Sequence, residues 1–149
     1  MVRARKHKVI AHHLDGTLVR GTTTNFTPKR QTFTIKLDHG SHRVKVADLK
    51  ALFFVKEFMG RPEYRERKGF FDESSKGSKI LVEFLDGEIL FGYTSSFSEK
   101  GVGFFMLPGD PDSNNIKVFV VYVATTRVKL KNSNGEAENV PGDNIIYSE

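Results

Sequence analysis

The sequence predicts an all-β protein built as two tandem five-stranded barrels that pack against one another through a short aromatic linker. Three observations carry that prediction. The chain repeats itself at an offset of 71 residues, each copy contains an Asp-Gly hairpin signal, and each copy sets a glycine inside the strand that follows the hairpin.

The repeat aligns KVIAHHLDGTLVRGTTTNFTPKRQTFTI (8–35) with KILVEFLDGEILFGYTSSFSEKGVGFFM (79–106) without a gap. Identical pairs are Lys8/Lys79, Leu14/Leu85, Asp15/Asp86, Gly16/Gly87, Gly21/Gly92, Thr23/Thr94, Phe26/Phe97, Lys29/Lys100 and Phe33/Phe104. Unrelated segments of this length share roughly two identities at background residue frequencies. Duplication is therefore the better account.

Asp-Gly between two alternating runs signals a tight hairpin, and a type I′ turn is expected because its central residues take positive φ. Residues 8–14 then pair with 17–26, and 79–85 with 88–97. Gly21 and Gly92 permit the sharp bend that curls a short sheet. Phe26 and Phe97 close the bent strands. A third strand alternates through Phe33, Ile35 and Leu37, matched by Phe104 and Met106. A fourth holds Val44 and Val46, matched by Ile116 and Val118 with a one-residue slip. The last strands are expected at 51–55 and about 125–130. Five short meandering strands in each copy fit an SH3-like or Sm-like barrel.

The expected organisation is a first barrel over 1–56, a linker over 57–78, a second barrel over 79–131 and a flexible tail over 132–149. The linker breaks the alternation at Gly60 and Pro62 and has room for a short helix at Glu63–Lys68. Its aromatics Phe58, Tyr64, Phe70 and Phe71 are expected to pack between the barrels. Ile145, Ile146 and Tyr147 can dock as a strand on an exposed edge.

Thirteen Phe and 38% hydrophobic residues suffice to close a core. Cysteine is absent, which excludes disulfides, thiolate metal sites and a thiol nucleophile. No run approaches the eighteen apolar residues of a membrane span, and no apolar leader follows the charged start. A cytoplasmic protein is the expectation. The net charge of +5 is unevenly spread: residues 1–70 hold sixteen Lys and Arg against six Asp and Glu, while 71–149 hold seven against twelve. A basic half attracts nucleic acid, acidic headgroups, an acidic protein or the other half of its own chain.

Strand, Leu-Asp-Gly, strand with an internal glycine, then a short third strand, resembles the Sm/Hfq-type barrel. That resemblance implies RNA contacts in the loop after the second strand, which holds Lys29 and Arg30 here. The whole chain is also similar to an uncharacterised, largely deltaproteobacterial family. The shared features are the Leu-Asp-Gly runs, the linker G-x-P-x-Y-x-E-R (60–67) and FF-x-x-P-x-D-P-x-S-N-N (104–115). This implies a bacterial cytoplasmic protein and supplies no activity.

Arg61-x-x-x-Arg65 with Asp72-x-Ser74-x-x-Gly77 resembles the two signatures of PilZ domains. The resemblance implies a cyclic di-GMP site in which Arg61 and Arg65 grip phosphate and guanine, and Asp72, Ser74 and Gly77 form the second signature. Guanidinium forks suit phosphate, and an Asp/Ser loop can read a base edge. His12, His13, His39 and His42 could offer imidazoles, but His13 aligns with Phe84 and reads as a half-buried histidine with a hydrogen-bond partner. No metal is expected. Asp15 and Asp86 are explained by their turns rather than by acid–base work. Lys100-Gly-Val-Gly103 lacks the strand–loop–helix setting of a phosphate cradle. The cations Arg3, Arg5, Lys6, Lys8, Lys29, Arg30, Arg43 and Lys45 could engage nucleic acid with help from nearby aromatics.

With no catalytic constellation and no cofactor motif, the expected function is a non-enzymatic binding or adaptor module for a protein partner. Phe53, Phe58 and Tyr64, with Lys29 and Arg30, are the expected contact residues. Cyclic di-GMP reception and nucleic-acid binding are the alternatives, and the oligomeric state stays open.

Overall fold

Residues 5–72, 77–97, 100–131 and 145–147 are described by a computed structural model. Alternating apolar residues and the two Asp-Gly turns build its strands in order. These are β1 (His7–His13), β2 (Leu18–Thr23), β3 (Thr32–Lys36), β4 (Ser41–Lys45), β5 (Leu49–Val55), β6 (Ser78–Phe84), β7 (Ile89–Thr94), β8 (Gly103–Pro108), β9 (Asn115–Val121), β10 (Thr125–Lys131) and β11 (Ile145–Tyr147). Single 3₁₀ turns at Val46–Asp48 and Tyr122–Ala124 precede β5 and β10.

The two hairpins share one register. His7 faces Thr23 as Ser78 faces Thr94, and Val9 faces Gly21 as Ile80 faces Gly92. Both turns also close alike, but not as type I′. Gly16 N–H donates to His13 O at 3.0 Å and His13 N–H to Thr17 O at 2.9 Å, while Gly87 and Phe84 make the matching bonds at 2.9 and 2.8 Å. Only glycines among the described residues have positive φ, with Gly16 and Gly87 both at 92°. The turn is a type I turn closed by a left-handed glycine. Asp15 Oδ1 accepts the Thr17 N–H at 2.8 Å and Asp86 Oδ1 the Glu88 N–H at 3.0 Å, so each aspartate braces its turn.

Gly21 and Gly92 mark close backbone approaches. A Cβ at Gly21 would lie 2.4 Å from Lys36 O, and one at Gly92 would lie 2.1 Å from Leu107 O. Here β2 bends against β3, and β7 against β8.

The fourth strands correspond differently from the expectation. Phe33 faces Val44 as Phe104 faces Val120, so Val44 matches Val120 rather than Ile116. The offset grows from 71 to 76 because the β8–β9 hairpin is longer than the β3–β4 hairpin, in its strand arms as well as in its loop.

Two separate closed barrels do not form. The strands make one open sheet in the order β11-β10-β6-β7-β8-β9-β5-β1-β2-β3-β4, in which ten strands run antiparallel and β11 joins β10 in parallel. The reason lies in β5 and β9, which are apolar on both faces. A strand buried on both faces cannot serve as a free edge, and β5 pairs with β1 on one side and β9 on the other. Alternation then divides their side chains. Leu52, Phe54, Phe119 and Val121 enter a core with Val9, Ala11, Phe33, Ile35 and Leu49. Ala51, Val118 and Val120 enter a second core with Ile80, Val82, Phe84, Phe104 and Val128. Phe26 and Phe97 pack edge-on against Phe33 and Phe104, with ring centroids 5.0 and 5.1 Å apart.

The expected helix at Glu63–Lys68 is absent, and the segment is a turn followed by irregular chain. Buried Asp110, in the loop after β8, holds it so. Asp110 accepts hydrogen bonds from Tyr64 Oη, from the Arg67 N–H at 2.8 Å and from the Arg67 guanidinium at 3.1 Å. Ser113 Oγ donates to Glu66, and Asn114 Nδ2 donates to Glu57 O at 2.9 Å. The linker aromatics pack on individual halves rather than between them: Phe70 lies against Phe91 and Tyr93, and Phe71 lies under Arg67. No helix among the described residues is long and apolar enough to cross a membrane.

Candidate functional site

The residues expected to form one contact surface are dispersed by the fold. Phe53 on β5 is half-buried, packs on the second core and sits 6.4 Å from the His12 ring. Tyr64 is tied to Asp110. Phe58 lies under Lys8, whose Nζ is 5.8 Å from its ring centroid. Lys29 lines a cavity of about 370 Å³ with Ser96, Gly101, Phe104, Phe105 and Phe119, so the loops after β2 and β7 lie side by side. Arg30 turns back to donate to Asn25 O at 3.5 Å.

Of the cyclic di-GMP candidates, Arg61 donates to Asp112 O at 3.1 Å and Arg65 is exposed. The Asp72 N–H donates to Tyr93 Oη at 3.2 Å, and Gly77 has φ of 104° with Thr94 O closely behind it. Ser74 lies outside the described residues, as does Arg3.

His13 is half-buried, and its Nδ1 donates to Thr17 O at 3.1 Å. No group of His, Asp and Glu among the described residues is arranged to hold a metal ion. Lys50 was not singled out in the sequence, yet it is 4% exposed on β5. Its ammonium pairs with Asp86 at 2.7 Å and with Glu88, and lies 4.7 Å from the Phe84 ring centroid. Lys50 holds the Asp86 carboxyl below its usual range through their hydrogen bond. Burial, then the Lys50 charge, lowers His12. This ion group joins β5 to the second Asp-Gly turn and sets two carboxylates around one ammonium.

An open feature stands at the end of the sheet. Among the described residues β4 pairs with β3 alone, whereas its counterpart β9 pairs with β8 on one side and β5 on the other. On β4, Val44 is buried, while Ser41, His42, Arg43 and Lys45 are exposed. Arg43 is steadied by its hydrogen bond to Thr32 Oγ1 at 3.3 Å. Among the described residues neither Arg43 nor Lys45 has a carboxylate partner. Both stood among the cations noted in the sequence, but nothing local told that their strand is an edge. The missing signal was the contrast between the two halves: SHRVK (41–45) is charged where the matching KVFVV (117–121) is apolar.

A second opening is a cavity of about 490 Å³ on the first half, lined by Lys6, Arg20, Thr22, Lys36, Asp38 and Phe58.

No curated protein and no solved structure matches this chain. Over residues 5–142, however, it matches the model of a family of unknown function, DUF6982, and the chain belongs to that family.

Proposed function

We propose that this protein is a non-catalytic binding module, a duplicated unit with an Sm-like strand order, that captures an extended acidic segment of a protein partner by strand addition to β4. The carrying observation is that the outer edge of β4 has no strand partner among the described residues. Inside the chain, the corresponding edge of β9 receives β5 as an antiparallel strand, with Leu52 opposite Phe119 and Phe53 opposite Val118. That pairing supports reading β4 as an edge of the same kind with its place vacant. Backbone hydrogen bonds along such an edge supply affinity, and side chains supply selectivity.

Charge narrows the partner. Exposed cations on an edge strand deter indiscriminate pairing with other strands, and they favour a segment carrying Asp or Glu opposite Arg43 and Lys45. The test is capture of partners from a lysate of the native host by the full chain, compared with Arg43→Glu/Lys45→Glu, followed by identification of the bound segment. Loss of one protein partner in the variant, with a peptide from that partner binding the unaltered chain more tightly at low salt and failing to bind the variant, is the expected result. A partner set unchanged by the variant overturns the reading. Capture of nucleic acid or cyclic di-GMP instead would also overturn it, and would favour the Lys29/Arg30 loop or Arg61 and Arg65 respectively.

A further inference from the structure

The linker fills a groove on the second half that lies open on the first. On the second half, Phe70 stacks edge-on against Phe91 and Tyr93 at 5.8 and 5.7 Å. The Phe71 N–H donates to Gly109 O at 2.8 Å, and the Gly109 N–H to Phe91 O at 2.8 Å. Lys79 Nζ covers the Phe70 ring at 5.3 Å from its centroid. A stretch of the linker with an aromatic anchor thus lies along the bend between β7 and β8.

The equivalent bend in the first half lies between β2 and β3. The register is the same, since Thr22 faces Lys36 as Tyr93 faces Leu107. Lys8, the counterpart of Lys79, lies over Phe58 at 5.8 Å, so one aromatic from the linker reaches this groove too. Beyond Phe58 it remains open, as the cavity of about 490 Å³. The walls have changed in kind. Phe91 is replaced by Arg20, Tyr93 by Thr22 and Leu107 by Lys36, and Lys6 is added at the rim. Among the described residues none of these three cations has an ion-pair partner, and Asp38 is the one carboxylate in the lining.

We infer that the first-half groove is a binding site for an extended acidic peptide segment with an aromatic anchor. The filled groove of the second half shows what the shape accepts: backbone laid along the bend with one ring inserted. The substitutions set the charge: two aromatic or aliphatic walls have become cations, which suits Asp or Glu flanking the ring. Phe58 offers the inserted ring an edge-on partner. This site is separate from the β4 edge and stands or falls apart from it.

The test uses the full chain and a labelled Glu-Phe-Glu-Phe-Glu peptide, with amide chemical shifts and fluorescence anisotropy as readouts. Saturable shifts at Gly21, Thr22 and Lys36 are expected, and a Gln-for-Glu version of the peptide should bind more weakly. Arg20→Phe/Lys36→Leu installs the residues that the second half already folds with. It should weaken the acidic peptide roughly tenfold or more, as loss of close opposite-charge contacts does. Shifts confined to β4, equal affinity for the double variant, or tighter binding of a single-stranded oligonucleotide at the same amides would each overturn the inference.

Discussion

Asp110 and Arg67 grip one another twice: the Asp110 carboxylate accepts the Arg67 backbone N–H at 2.8 Å and its guanidinium at 3.1 Å. Asp110 is fully buried, so its charge is stabilised by these donors and by Tyr64 rather than by water. Removing the carboxylate leaves the linker donors without an acceptor. Arg67 is 48% exposed and can be rehydrated, so Asp110→Ala is expected to lose about 1.5–3 kcal/mol, the range for hydrogen bonds to a charged group. Urea unfolding of the two proteins measures it.

The same pair predicts acid sensitivity. Burial is the largest influence on the Asp110 carboxyl and raises it, but the bonds from Arg67, Tyr64 and the Asp112 N–H together outweigh burial and hold it far below its ordinary 3.8. A carboxyl lowered on folding binds fewer protons in the native state than in the unfolded one. Its stabilisation is therefore complete above the unfolded value and is lost as pH falls toward the folded one. Stability should hold level down to roughly pH 5 and then decline, and Asp110→Asn should flatten that decline. Urea midpoints between neutral and acid pH check both.

Lys50 predicts an asymmetry. Its side chain is 5% exposed, while those of Asp86 and Glu88 are 47% and 44% exposed. The carboxylates can be hydrated without the lysine, but the lysine has little water without them. Asp86→Ala/Glu88→Ala is expected to cost about 3 kcal/mol or more, and Lys50→Met about 1 kcal/mol or less. Equal costs in thermal or urea unfolding would contradict this account.

Gly21 and Gly92 should resist any side chain. A Cβ would sit 2.4 Å from Lys36 O and 2.1 Å from Leu107 O, so the bend must open to admit it. Gly92→Ala is expected to cost about 1–3 kcal/mol, the range for overpacking. Gly16→Ala tests a different cause, because its surroundings are empty and only its φ of 92° resists. Circular dichroism melts of the two variants compare the two effects.

The hairpins, the bends at Gly21 and Gly92 and the half-buried His13 were legible, because each depends on neighbours within a few positions; Ile145–Tyr147 was legible as a strand for an exposed edge, but not as one that joins β10 in parallel. The Asp-Gly turn type was misread because the dipeptide suits two turn geometries, and the hydrogen bond of each aspartate to the residue two ahead accompanies the one with negative φ at Asp. The linker motifs were visible as letters, but their purpose was not: Tyr64 and Arg67 lie more than forty positions from the Asp110 they bind.

The sequence by itself determined strands, turns and the apolar character of β5 and β9, because local backbone preference and alternation need no distant partner. Only the tertiary structure decided that β5 and β9 meet, that one sheet replaces two barrels, that β4 is left as an edge, and that the linker fills one groove and spares the other. Those outcomes are choices among strand edges and surfaces far apart in the chain. They are settled by which apolar faces can be buried together, and alternation along a single strand carries no record of its partner.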